Sequence, residues 1–256
     1  MFKILRAPLG QWIVPPTRVQ QVKKYLSPTR SVCKNMDILI GAVNLLYLSQ
    51  KRVNASTAKR GYSEEKWVAS YIENDFRVND DRRSKVDLTN GQMNIQVKKS
   101  KTGQFQQISR GTVDNLVAAI PELQPISSLL KERCEQKQHF SPDIIETLNA
   151  SKREILEHAL LGHGHLKPGV LCITEWDKRD AVRKKIMFVA MNDVIESLMQ
   201  YDFSIRDSKT VVELGPSFTF QRKGGDGGRQ SANDIQFKIV PSLLDVTYPV
   251  VIHLTH

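Results

Sequence analysis

The segment Ser84–Ser100, SKVDLTNGQMNIQVKKS, constrains the fold more than any other stretch, because an Asn-Gly pair separates two alternating runs. Both central positions of a two-residue type I′ turn need positive φ, and Asn90-Gly91 is the pair that supplies it. With that turn Asp87 faces Asn94 and Lys85 faces Gln96, while the two-residue strand period sets Gln96 and Lys98 on the Asp87 side. Val86, Leu88, Met93, Ile95 and Val97 go largely to the other face. A carboxylate and an amide oxygen suit a hard cation such as Mg2+. A lysine two residues on can orient or deprotonate one of its waters, which completes the outfit for metal-assisted phosphodiester hydrolysis. The same pattern also suits a plain sheet hairpin with a polar, solvated face.

Charge narrows the partners. The chain has 256 residues, 40% hydrophobic and 25% charged, as an ordinary globular protein does, with a net charge of +10. Residues 1–60 hold eleven Lys and Arg against one acid, Asp37, so the remaining residues sum to zero. A basic segment of this kind points to a polyanion, with nucleic acid the usual one, although it also describes a solvated basic surface. The three cysteines, Cys33, Cys134 and Cys172, have no C-x-x-C spacing and support neither a disulfide framework nor a structural zinc site. A reducing cytoplasm is the expected compartment. The first sixteen residues lack an apolar signal region, and the longest apolar stretch, Ile38–Leu48, is well short of the roughly 20 residues that span a bilayer.

Residues 1–55 read as a basic, mostly helical N-terminal extension, with helices from Thr17 to about Leu26 and over Asp37–Gln50. Residues 56–256 form the main domain. Its first helix covers 62–75 with Trp67, Val68, Tyr71 and Ile72 buried, and the hairpin follows. The stretch Gln107–Leu161 reads as mainly helical, with Ser141-Pro142 as N-cap and first helical residue. Gly169–Thr174 and Lys185–Ala190 read as core strands and Asp193–Tyr201 as a helix. Val211–Leu214, Ser217–Arg222, Ile235–Val240 and Val250–Leu254 return to strand. Helices around a mixed central sheet make an α/β domain.

Two further stretches carry candidate binding residues. In Gln221–Lys238, QRKGGDGGRQSANDIQFK, four glycines lie among Arg222, Lys223 and Arg229, and a strand follows on which Gln236 and Lys238 share a face. Glycine lets backbone approach a ligand, and Arg, Lys, Gln and Asn read base edges. A flexible hairpin loop fits the stretch equally well. In the loop Lys99–Arg110, KSKTGQFQQISR, Phe105 stands among polar and basic residues, as a ring that wedges between bases or as an anchor for the following helix. His158, His163 and His165 lack the carboxylate or Cys partners of a recognised metal site.

Four ordered blocks resemble the HinP-type type II restriction endonucleases, relatives of MspI. The block Gln221-Arg-Lys-Gly-Gly-Asp with Gly228-Arg229, Ala232-Asn233 and Gln236-Phe237-Lys238-Ile239 is the most distinctive. Ser56–Lys59 with Gly61-Tyr62 and Glu65-Lys66, Asp87 with Asn94–Lys98, and Phe105 with Gln107-Ile108 complete the likeness, which runs from Ser56 to Leu244. The resemblance implies the restriction-endonuclease-like α/β core of the P-D-(D/E)-x-K nucleases and Mg2+-dependent cleavage of duplex DNA at a short GC-rich palindrome, GCGC-like, leaving 5′-phosphates. It implies metal binding by Asp87, Gln96 and the Val97 carbonyl, a water positioned by Lys98, and Glu65 as a further carboxylate. It likewise implies DNA contacts by Phe105, Gln107, Arg222, Lys223, Arg229, Asn233, Gln236 and Lys238. A cognate methyltransferase as genetic partner and a homodimer fit a palindromic target. A structure-directed repair or recombination nuclease and a non-catalytic DNA-binding module are the alternative readings.

Overall fold

The apolar runs of the chain sort into two sheets. This computed structural model describes residues 64–72, 75–81, 84–101, 104–132, 139–177, 182–222, 234–246 and 249–254, together with two short strands, β1 (Leu5–Arg6) and β2 (Trp12–Val14). The chain divides into two compact units, one of Met1–Thr102, Gly164–Asp193 and Asp245–His256, the other of Gly103–His163 and Val194–Leu244. The architecture is mixed α/β. No helix among the described residues is long and apolar enough to cross a membrane.

In the first unit the further strands are β3 (Arg77–Val78), β4 (Leu88–Thr89), β5 (Asn94–Lys101), β7 (Val170–Trp176), β8 (Arg183–Ala190) and β13 (Val250–His253). They form a mixed sheet in the order β1-β2-β13-β8-β7-β5-β4-β3. β5 runs parallel to β7 and β13 parallel to β2, and the hairpin pairs are antiparallel. β7 lies between β5 and β8 and buries five successive residues, Val170 to Thr174, as an interior strand covered on both faces does. Residues 64–69 are helical, α1, and present Trp67 and Val68 with Tyr71 and Ile72 just beyond as one buried stripe. These pack on Leu88, Ile95, Val97, Cys172, Phe188 and Val250 in a single core.

The hairpin forms, in a different register from the one a two-residue turn would give. Leu88 pairs with Ile95 and Thr89 with Asn94, so four residues, 90 to 93, make the connection. Gly91 has φ +85 and Asn90 does not join it at positive φ. Instead the Asn90 side chain caps the loop, its Oδ1 accepting the Gln92 and Met93 amides at 3.0 and 2.8 Å. The shift moves each partner by two residues, which preserves the strand alternation and hence the faces.

The second unit holds β6 (Gln106–Thr112), β9 (Phe203–Ile205), β10 (Val211–Leu214), β11 (Phe218–Arg222) and β12 (Asp234–Ile239), an antiparallel sheet in the order β6-β12-β11-β10-β9. Phe220 and Phe237, directly opposed, have ring centroids 5.8 Å apart, and Phe140 meets Phe220 edge-on at 5.2 Å. The remaining helices are α2 (Val113–Ala119), α3 (Ser127–Lys131), α4 (Ile145–Ala150), α5 (Lys152–Leu160) and α6 (Met191–Met199). Ser141 caps the turn that begins at Pro142 and leads into α4, its side chain accepting the Asp143 N–H at 3.3 Å.

Two expectations are corrected. Gln107–Leu161 is not helical from its start, because β6 occupies its first residues and pairs with β12. The loop read over Lys99–Arg110 shrinks accordingly to the residues between β5 and β6. The helices expected at Thr17 to about Leu26 and over Asp37–Gln50 lie outside the described residues, and the strands β1 and β2 fall within the stretch read as mostly helical.

Candidate active site

Asp87 sits where three strands of the first unit meet. Its main-chain N–H donates to the Ile95 carbonyl on β5 at 2.9 Å, and its carbonyl accepts the Asn79 N–H, just beyond β3, also at 2.9 Å. The side chain turns to β5, where Oδ2 accepts the Val97 N–H at 2.7 Å and lies 3.8 Å from Lys98 Nζ. Ile95 and Val97 belong to the core, so alternation along β5 turns Gln96 and Lys98 to the other side of the strand. Gln96 is only 1% exposed, and its Oε1 has no hydrogen-bond partner. Such an orphaned acceptor is costly unless something fills its place.

The electrostatics bind four ionisable groups of this unit together. Burial raises the Asp87 carboxyl above its ordinary range, against the pull of Lys98, the Val97 N–H and Lys85. Burial, reinforced by the neighbouring Asp87, pushes Glu65 on α1 up to about 7, with Lys98 opposing. Burial and the like charge of Lys98 bring the Lys85 ammonium down to about 8, against the attraction of Asp87. Sequence reasoning did not single out Lys85, although the strand period that joined Gln96 to Lys98 also places Lys85 two residues before Asp87. Among the described residues no group of three or more His, Cys, Asp or Glu gathers into a metal site. The donors present at Asp87 are a carboxylate, a glutamine amide and main-chain carbonyls, all hard oxygen.

A second group was also missed. Glu64, adjacent to Glu65, is 2% exposed and takes Arg183 Nε at 3.0 Å, Arg183 Nη2 at 3.2 Å and Trp176 Nε1 at 3.2 Å. The Arg183 guanidinium lies 3.7 Å from the Trp67 ring centroid and 4.4 Å from that of Trp176. This cage ties α1, which carries Glu65, to β7 and β8.

The second unit carries the other candidates. Phe105 is 40% exposed, which excludes the core-anchor reading. Gln107 is exposed, Gln236 is buried at 8%, and Lys238, half-buried, is lowered from the ordinary lysine range by desolvation. Gln236 and Lys238 share a face of β12, as their spacing predicts. Arg222 is a correction. Its guanidinium is buried and donates to the carbonyls of Leu129 and Leu130 at the end of α3 and of His139, at 2.7, 2.9 and 2.7 Å, so the side chain is held within the protein. Lys223, Arg229 and Asn233 lie outside the described residues.

Residues 129–245 match the family model of the R.HinP1I restriction endonuclease. That match, over a little under half of the chain, supports a type II restriction endonuclease acting on DNA. The matched segment includes Gln236 and Lys238 and leaves the Asp87 hairpin of the endonuclease outside it. Among solved structures, an HhaI endonuclease in complex with DNA aligns with 9% sequence identity and a TM-score of 0.30, over 72% of this chain and 91% of that one. No curated protein matches the endonuclease.

Proposed function

We propose that the endonuclease hydrolyses both strands of duplex DNA at a short GC-rich palindrome, GCGC-like, with Mg2+ as cofactor and 5′-phosphate products. The observation that carries this reading is the contact of Asp87 with Lys98 at 3.8 Å beside the buried, unpartnered oxygen of Gln96. The mixed sheet with its catalytic hairpin on β4 and β5 fits a restriction-endonuclease-like core of the P-D-(D/E)-x-K class, related to MspI.

Asp87, Gln96 and the Val97 carbonyl are the proposed holders of Mg2+, since hard oxygen donors and an orphaned amide oxygen suit that ion. When bound, the ion polarises a phosphoryl oxygen and acidifies a coordinated water. Lys98 then orients the attacking water, and its charge offsets that of the phosphate. Glu65, raised to about 7, is poised near neutrality to accept a proton or to add a carboxylate oxygen. Gln96, where a carboxylate would add a negative charge, lowers repulsion of the phosphate at the expense of metal affinity.

Phe105 is the proposed wedge between bases, since an exposed ring next to a reading strand suits that use. Gln107, Gln236 and Lys238 contact base edges, and Lys223, Arg229 and Asn233 contact DNA from the glycine-rich loop. The basic residues 1–55, read as an extension ahead of a main domain at 56–256, are proposed to clamp flanking phosphates beyond the strands β1 and β2 that join the sheet, so removing their charge lowers the salt dependence of DNA binding. The protein acts in the cytoplasm beside a cognate methyltransferase, and a homodimer suits the palindrome.

The test is digestion of unmethylated phage DNA in Mg2+ followed by sequencing of the ends. Discrete fragments whose ends share one GC-rich palindrome are expected. Cleavage that ignores sequence and prefers junctions or nicks points to a repair nuclease, and sequence-specific binding without cleavage points to a DNA-binding module.

A further inference from the structure

One extra residue in β6 sets up a polar face on the second sheet. Phe237 pairs with Ser109 while the next residue, Lys238, pairs with Gln107, so Ile108 is left over as a bulge. On a regular strand Gln107 and Arg110, three apart, would point to opposite faces. The bulge brings them back to one face, with both exposed and Ile108 and Ser109 buried between them. Arg110 then pairs with Gln236, which pairs on its other side with Gln221. Gln107, Lys238 and Thr219 make the neighbouring row. The opposite face of the same strands is the aromatic one, Phe218, Phe220 and Phe237.

We propose that Arg110 is a specificity-determining residue that reads a guanine edge in the major groove, at the head of the row Arg110, Gln236, Gln221. This rests on the reading of sequence-specific cleavage given above and extends it to a residue outside the resemblance. β6 is an edge strand of its sheet, so Arg110 stands where a strand can enter the groove. A guanidinium fork donates two N–H groups in parallel, and guanine alone offers two acceptors, O6 and N7, on its major-groove edge. The amides of Gln236 and Gln221 behind it have both donor and acceptor atoms, which suits a neighbouring base or a fixed orientation of the fork.

Cleavage by wild type, Arg110→Ala and Arg110→Lys is measured on duplexes carrying the mapped site, with each guanine in turn replaced by 7-deazaguanine, which lacks N7. At one position the analogue lowers wild-type kcat/KM by roughly 5- to 30-fold, and Arg110→Ala, already lowered by roughly 10- to 100-fold, is indifferent to it. Arg110→Lys keeps the charge without the fork and shows a similar loss, which covers the case in which the alanine variant fails to fold. Sensitivity to every analogue unchanged in Arg110→Ala overturns the proposal. So does a loss that is uniform across sequences with a salt slope smaller by about one, the mark of a phosphate contact. A wild-type protein that cuts no discrete sequence removes the underlying reading, and this inference falls with it before any variant is compared.

Discussion

Lys98 Nζ lies 3.8 Å from Asp87 Oδ2, the same oxygen that accepts the Val97 N–H at 2.7 Å. The carboxylate is therefore fixed by the strand that carries the lysine. Asp87→Asn keeps an oxygen for the Val97 amide and removes only the charge. Cleavage is expected to fall by about 100-fold or more, while DNA binding in chelator is retained or tightened because one repulsive charge is gone. Single-turnover rates and binding isotherms on the same duplex check both halves.

Glu65 gives the apoprotein a pH signature. Its folded pKa of about 7 lies above the ordinary 4.5, so the native state holds more protons between those values and stability falls as pH rises through that window. Glu65→Gln removes the effect. Allowing for partial solvent screening, its melting temperature at pH 8 is expected to rise by about 2–4 °C, for roughly 1 kcal/mol. Well below pH 4.5 the carboxyl is protonated in both states, and the two proteins should melt together. Thermal melts in chelator across this range measure it.

The Glu64 and Arg183 side chains are 3% and 7% exposed, and neither charge has bulk water to fall back on. Arg183→Ala leaves the buried carboxylate to the Trp176 N–H and to Lys99 Nζ, 3.9 Å away, and is expected to cost about 3 kcal/mol. The double variant Glu64→Leu with Arg183→Met restores an apolar fit and should cost clearly less than the single one. Urea unfolding of the three proteins decides it.

Arg222 separates a structural from a DNA-binding role. Three charge-assisted bonds to main-chain carbonyls make Arg222→Ala a destabilising change, by about 1.5–3 kcal/mol or more. The salt slope of DNA binding should stay where it is, because no phosphate contact is lost. Denaturant midpoints and a salt titration give the two readings.

Much of the core was legible because alternation and helical spacing are local. Trp67, Val68, Tyr71 and Ile72 form the buried stripe that their spacing predicts, and Val211–Leu214 is the strand it reads as. The faces of the hairpin survived an error in its turn, since Asn90 spends its side chain on the Gln92 and Met93 amides and widens the loop by an even shift. β6 was missed because its bulge at Ile108 breaks the period of two. Arg222, Glu64 and Lys85 have roles set by partners that the chain brings in from elsewhere, such as the Leu129 carbonyl and the Arg183 guanidinium, and by burial that no local pattern announces.

The most direct test of the account is the single-turnover cleavage rate of the wild type as a function of Mg2+, beside that of Lys98→Ala. With Asp87 and the neutral Gln96 as the proposed donors, the wild-type rate is expected to rise over millimolar Mg2+ and vanish in chelator, and Lys98→Ala to be silent throughout. Cleavage that persists in chelator, or that Lys98→Ala performs as well as the wild type, contradicts the assignment of this hairpin as the catalytic site.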